Sequence, residues 1–436
     1  MKFVADLHLH SKYSRACSQA LTLENLALYA AKKGIQVLAT ADWTHPVWFE
    51  ELKNKLQQSN NGLYKLKQSS NQEVYFLPST EISSIYTQGG KQRRIHTLVF
   101  VPNLETAEKI NQQLERLGAN LKSDGRPIVG LSAKNLAELV LEIEPKSQII
   151  PAHIWTPWFS LYGSNSGFDS VEECFGDMAE YIYGIETGLS SDPAMNWRVE
   201  DLDTRTILSF SDAHSLEKLG REATVFEGEL TYSGIYQAIS SQRTKNNEQR
   251  TKIAFTIEFY PEEGKYHYTG HRNCGVKHAP DETAKLGTTC PVCGKKLTVG
   301  VLHRVSELAK KSVEDLDLVS NDFVKSAALP LRPPYKMLVS LSEIISQSLG
   351  VGGASKEALG HYNNLVDNFG SELAVLIKAP TEELEGKTHR KIAEGVEKVR
   401  KGNIFVDPGF DGVYGKVQIW PQTDEVIQDT SQMALF

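Results

Sequence analysis

"ADLHLHS", residues 5–11, is a short apolar run closing on an aspartate and two histidines spaced two apart. In a β-strand, residues two apart point to the same face. Asp6, His8 and His10 are therefore expected to project together at the C-terminal end of one strand. The residues alone allow two readings: ordinary histidines on an edge strand, or one corner of a metal site. The rest of the chain decides between them.

From residue 1 to about 230, short β-prone runs alternate with longer, mostly polar stretches at helical spacing. The runs are "KFVADLHLH", "IQVLATAD", "VYFLPSTE", "IHTLVFV", "SQIIPAH", "YIYGIET" and "TRTILSFSDAH". Such alternation predicts parallel β/α units. The runs finish in Asp, Glu or His at His8/His10, Asp42, Glu81, His153, Glu186 and Asp212/His214, while His96 opens its own. Functional residues drawn from the C-terminal ends of many strands are the arrangement of a (β/α) barrel. An open doubly wound sheet gathers them at one or two switch points. The barrel is the expectation.

Taken singly, each histidine reads as structural. Taken together, so many imidazoles and carboxylates around one mouth would be costly to bury without a cation. Mixed His and carboxylate donors suit Zn²⁺, Mn²⁺ or Fe²⁺ ahead of Mg²⁺. The candidate ligands are His8, His10, Asp42, His45, Glu81, His96, His153, Asp212 and His214. They are too many for one tetrahedral ion, so two or three metals are expected, with Glu81 as the bridging acid. Asp42 could instead orient an imidazole. Such clusters hydrolyse phosphate esters, one metal activating water while the others clamp the attacking and leaving oxygens. Asp212, His214 and Glu81 are the candidate catalytic groups.

"DLHLHS", "TADWTHP", "STEIS", "IHTLVF", "PAHIW" and "SDAHS" resemble the successive motifs of the PHP (polymerase and histidinol phosphatase) superfamily. The resemblance implies a distorted (β/α)₇ barrel with a trinuclear metal centre at its mouth. It matches His8 and His10 to the first metal pair and Glu81 to the bridging acid. His96 and His153 match the middle ligands, and Asp212 with His214 the terminal ones. In the usual second motif Asp is followed at once by His, whereas here Asp42 and His45 are separated by Trp43 and Thr44, which leaves the choice between them open. A further ligand position falls on "KYSRACS", where Arg15 cannot bind a metal, so that ligand is expected to be missing.

A second metal pattern lies further on. Cys290-Pro-Val-Cys293 has the tight turn of a zinc knuckle, and His271 with Cys274 repeats its two-residue gap. His278 is the alternative fourth ligand. A closed four-ligand site is expected to hold structural Zn²⁺. Lys277, Lys285, Lys295, Lys296 and Arg304 surround it, either as a solvated surface or as a face for phosphate backbone. Residues 241–340 hold 16 Lys plus Arg against 11 Asp plus Glu, a net +5 beside -12 for the remainder of a chain of net charge -7. Five cysteines look like reduced thiols plus this knuckle,. No apolar run approaches the ~20 residues of a membrane span, and no signal peptide is evident at the start, so the chain is expected to be cytoplasmic.

"LPLRPPYK" reads as an inter-domain linker. From Met337 the reading is helical, broken by "GVGGAS" (350–355) and ended near Gly402, with an extended stretch after it. The order of barrel, "GHRNC…CPVCGKKLTVGVLHRV", "LRPPYKMLVSL" and "GVGGAS" resembles the endonuclease Q family. That resemblance implies DNA repair: hydrolysis of the phosphodiester 5′ to uracil, hypoxanthine or xanthine, or to an abasic site. The expected layout is a barrel over 1–240, a zinc-binding module over 241–305, a mainly α-helical DNA-binding domain over 306–424 and a flexible tail over 425–436. The aromatic stretch "WTPWFSLYGSNSGF" offers Trp155, Trp158, Phe159, Tyr162 and Ser164 for holding a flipped nucleotide, with Lys295 and Lys296 for the backbone. "TSQMALF" at the C-terminus has the look of a sliding-clamp motif. The alternatives are a phosphatase of small phosphomonoesters, and a DNA-binding module with a vestigial barrel.

Overall fold

A computed structural model of the protein describes residues 1–68, 74–244 and 251–420. Seven strands close into a ring. Lys2–Asp6 pairs in parallel with Val37–Ala39, which pairs in parallel with Tyr75–Leu77. Past Pro78 that strand continues as Ser79–Gln88, antiparallel to Lys91–Phe100, which is antiparallel to Gln148–Pro151. The Ile154 amide donates to the Glu186 carbonyl at 3.2 Å and so joins Gly184–Glu186, parallel to Thr206–Leu208. A bridge between Leu9 and Ala213 returns the ring to its first strand.

Phe3, Leu7, Leu98, Phe100, Ile150 and Phe210 form one buried cluster with residues of the helix Tyr232–Thr244. The interior is thus a packed core, as in other barrels. The other faces of the strands meet the helices Leu23–Lys33, Leu104–Arg116 and Ala133–Ile143. Each of these helices begins on a capping side chain, Thr22, Asn103 and Ser132, that accepts a first-turn amide,. Lys91–Phe100 runs against its neighbours, so its early residues rather than its end lie at the mouth. This explains why His96 alone among the candidate ligands stands ahead of its apolar run.

The ring's first strand also pairs with Ala223–Glu227, and the sheet extends through Lys252–Glu258 to Tyr335–Met337. The Pro-rich segment expected as a linker therefore ends as a sheet strand. Pro334 cannot donate, but its carbonyl accepts the Thr256 amide at 3.2 Å,. Lys252–Glu258, which the sequence division assigns to the zinc module, belongs to the barrel's sheet.

Five helices follow: Leu341–Leu349, Lys356–Phe369, Glu372–Ile377, Thr381–Glu385 and Arg390–Arg400. They share a buried core with Val225 and Ile257 of the sheet through Ile344, Leu365 and Val396. "GVGGAS" is the turn between the first two: Gly350 ends one at φ 69°, and Ser355 caps the next by accepting the Ala358 amide,. The strands Phe405–Asp407 and Lys416–Gln418 complete the described chain. Around the knuckle cysteines the described residues form a separate core of Val276, Cys290 and Leu297, with Cys274 against it. Among the described residues no helix is long and apolar enough to cross a membrane. The tail and its clamp-like "TSQMALF" lie outside the described residues.

Candidate metal centre

Eight candidate side chains converge at the mouth, and Glu81 is their hub. Its Oε1 lies 2.7 Å from His96 Nδ1 and 3.0 Å from His153 Nε2. Its Oε2 lies 3.4 Å from His10 Nε2, 3.7 Å from His8 Nε2 and 3.0 Å from Arg126 Nη1. Asp212 Oδ1 sits 3.1 Å from His10 Nε2 and 3.5 Å from His8 Nε2. Among the described residues, three overlapping groups could each hold an ion: His8–His10–Glu81, His10–Asp212–His214 and Glu81–His96–His153. Within each group the donor atoms lie no more than 4.8 Å apart.

Neighbouring carboxylates set the imidazole orientations. His8 Nδ1 donates to Glu186 at 2.8 Å, and the other Glu186 oxygen accepts the His153 amide at 2.8 Å. This leaves His8 Nε2 buried and without a hydrogen-bond partner, facing Glu81 and Asp212. A buried nitrogen with no hydrogen-bond partner, set among carboxylates, fits a cation or a proton, and the mixed N/O donor set fits the cation,. His10 Nδ1 is held at 3.1 Å by Asp42, whose other oxygen accepts the Ser11 amide, the Ser11 hydroxyl and the Ser14 hydroxyl at 2.7–2.9 Å. Asp42 thus stands behind His10 and outside the three groups. Gly125 completes this pocket, because a Cβ there would run into Asp42 and Ser14.

The charges are interdependent. Burial would lower the imidazolium form of His8, but Glu186 and Asp212 outweigh it and hold the group well above its ordinary range. His10 is raised likewise by Asp212 and Asp42 against its burial. Burial would raise the carboxyl of Glu81, yet His96 and Arg126 hold it well below the usual range. Asp212 is lowered by His8 and His10 against its burial. Burial pushes His96 down to about 4. Without a metal, protons on His8 and His10 balance the buried carboxylates. Asp42, His153 and Asp212 keep positive φ angles of 36°, 30° and 46°. Such strain in non-glycine residues persists where the surroundings over-determine it.

His45 lies apart: it stands just ahead of the helix Pro46–Lys55, without a capping side-chain hydrogen bond, and stacks on Tyr13 with centroids 4.5 Å apart. Asp6 does not project with His8 and His10. Its carboxylate accepts the Ser211 and Gly220 amides at 3.0 Å, because the strand ends at Asp6 and the alternation lapses beyond it. Arg126 escaped the sequence reading, since "SDGRP" carries no pattern that points at a metal site. Glu186 was visible as a strand-end acid but carried no role.

The aromatic loop divides in two. Trp155 and Tyr162 are core residues rather than walls of an open site, because Asn196 and Asp201 satisfy their polar ends at 2.8 and 2.7 Å,. Phe159 packs on His96 with centroids 4.8 Å apart, and Trp158 is exposed. The Ser164 hydroxyl is buried without a partner. Lys295 and Lys296 are exposed. In the knuckle, the structure groups His271 with Cys274, Cys290 and Cys293, donor atoms within 4.8 Å, and leaves His278 outside. Burial would raise the Cys290 thiol, but the Cys293 and Val292 amides and His271 bring it to about 6. A thiolate there suits a metal.

The MJ0043 C-terminal domain family model matches residues 340–403. The uncharacterized protein YqxK of Bacillus subtilis is 30% identical over 437 residues, covering 96% of this chain and 99% of YqxK. The uncharacterized protein MJ0043 of Methanocaldococcus jannaschii is 33% identical over 292 residues, 65% of this chain but only 34% of that longer protein. Among solved structures, the lesion-specific endonuclease PfuEndoQ from Pyrococcus furiosus matches with a TM-score of 0.80 and 30% identity, covering 98% of both chains. An endonuclease Q in complex with a 27-mer duplex carrying an abasic lesion at the active site matches with a TM-score of 0.80 and 31% identity, over 99% of this chain and 100% of that one. Agreement over nearly the whole length of both chains, with a single architecture from barrel to helices, means that this chain belongs to the endonuclease Q family.

Proposed function

We propose that the protein is a DNA-repair endonuclease that hydrolyses the phosphodiester 5′ to deaminated bases or abasic sites at a multinuclear metal centre. The observation that carries this reading is the set of three ligand groups linked through Glu81 and His10 at the barrel mouth. His8, His10, Glu81, His96, His153, Asp212 and His214 would hold the ions, with Zn²⁺ the first candidate and Mn²⁺, Fe²⁺ or Mg²⁺ the others. When bound, such ions polarise a phosphodiester and bring the pKa of water near neutrality. Asp42 and Glu186 keep His10 and His8 in the tautomer whose Nε2 faces the centre. Arg126 adds a fixed positive charge beside Glu81, where an anionic phosphate would arrive,. His214, whose Nδ1 donates to the Asp212 carbonyl at 2.9 Å, is the most exposed of the ligand set, and this hydrogen bond leaves Nε2 as the atom that would hold an ion,.

The proposed layout is a barrel over 1–240 whose sheet also takes in Lys252–Glu258 and Tyr335–Met337, a zinc-binding module within 241–305 and a helical domain within 306–424, in a cytoplasmic protein. A phosphomonoesterase would leave the zinc-binding segment and the helices without a task. The test is cleavage of labelled duplexes carrying uracil, hypoxanthine, xanthine or an abasic site, with the cut site mapped. The expected result is metal-dependent incision 5′ to the lesion, abolished by chelator. Intact strands under Zn²⁺, Mn²⁺ and Mg²⁺ alike would refute it.

A further inference from the structure

Aromatic and cationic side chains run from the metal centre, through the consecutive residues Phe159 and Trp158, to the hairpin of Phe405–Asp407 and Lys416–Gln418. The line starts at Phe159, which packs on His96 and carries the Arg94 guanidinium 5.4 Å from its ring. Phe159 keeps a left-handed backbone at φ 63°, a conformation costly for a bulky residue, and so commits its ring to this place,. The adjoining Trp158, 37% exposed, meets Tyr266 edge-on at 5.7 Å. Lys265 lies 5.8 Å from the Tyr266 ring and 5.5 Å from the ring of Tyr414, which is 69% exposed.

The backbone fixes these rungs. Gly412 donates to the Lys265 carbonyl at 2.8 Å and Gly415 to the Glu263 carbonyl at 3.1 Å, so the hairpin tip is laced to the segment bearing Lys265 and Tyr266. Three segments far apart in sequence thus supply one surface. Packing does not account for it, since Trp158 and Tyr414 expose much of their area. Rings flanked by cations, with Trp158 and Tyr414 exposed, are what single-stranded nucleic acid requires: faces on which bases stack, and charges that meet the phosphates,. The line begins at the ligand His96, so a strand lying on it would enter the metal centre directly.

We propose that this line holds the unstacked nucleotides of the cleaved DNA strand between the metal centre and the C-terminal hairpin. The proposal rests on the nuclease reading above and adds to it the track along which the strand leaves the duplex. The test uses the full chain without chelator and a fluorescein-labelled, lesion-free single-stranded DNA, read by anisotropy. Tyr414→Ala and Trp158→Ala are expected to weaken binding roughly 5- to 100-fold each. Lys265→Glu is expected to weaken it and to flatten the dependence of affinity on salt. Tyr414 is exposed enough for its variant to keep the wild-type melting temperature, so a lost affinity there is not misfolding. Tyr414→Phe, which keeps the ring, is expected to restore binding. Affinities of Tyr414→Ala and Lys265→Glu within twofold of wild type would overturn the proposal. A wild-type protein that binds with this pattern but never cuts lesion duplexes refutes the nuclease reading alone. One that cuts them while the variants bind as it does refutes the track alone.

Discussion

Glu186 belongs to none of the three ligand groups, yet it holds two of their members. One carboxylate oxygen fixes the His8 ring through Nδ1 and the other fixes the His153 backbone, so two ligand positions depend on it. Glu186→Gln keeps the size but gives up the charge and one acceptor. By the usual effect of losing such a partner, metal affinity or turnover is expected to fall roughly 10- to 100-fold. Metal titration followed by lesion-duplex kinetics checks this: recovery of turnover at saturating metal is expected, and its absence would mean that Glu186 does more than orient. Asp42 has the same office toward His10. Its full complement of donors explains why a residue that reads in sequence as a ligand stands behind one.

At the scale of elements, the segment around Cys274 and Cys290 is the least self-sufficient, with a core of three side chains. A segment so poor in apolar burial is expected to depend on a closed metal site for its stability. Cys290→Ser is expected to cost one zinc equivalent per chain and to speed hydrogen exchange over residues 269–298, with the barrel unaffected. Mass spectrometry of exchange and metal analysis read both. Here, too, the limits of the sequence are visible. Strand ends were legible because Asp, Glu and His interrupt apolar runs at His8, Glu81 and Asp212. The pairing of Tyr335–Met337 with Lys252–Glu258 was not, because prolines beside a strand look the same as prolines in a linker. Nor was the fate of the aromatic loop. Whether Trp155 turns inward depends on Asn196, some forty residues away, which no local pattern announces. Arg126 was hidden for the same reason, as its only mark is the contact with Glu81.

At the scale of the whole molecule, the metal centre ties stability to pH. Without metal, the imidazoliums of His8 and His10 are held well above their ordinary range. Their contribution is full below the unfolded value of about 6.5 and is lost as pH rises through the folded value. Glu81 and Asp212, held low, contribute in the opposite sense and lose their part as pH falls through their depressed values. The metal-free protein is therefore expected to lose melting temperature on the alkaline side, whereas bound cations replace those protons and remove the loss. Melting curves from pH 6 to 9, with and without metal, test this: parallel curves would mean that the cations do not sit among these imidazoles. Metal uptake is also expected to release protons and to weaken as pH falls.

The ring closes between Leu9 and Ala213, so its first and last corners lie some two hundred residues apart along the chain. On a ribosome, His8 and His10 emerge early and must wait for Asp212 and His214 before their site exists. Loops of that length are slow to close, and what depends on them forms late. With 222 residues still to follow His214, the centre can form only once the first half of the chain has been made. Any fragment released before residue 214 lacks the terminal ligands and carries no competent centre into the cell.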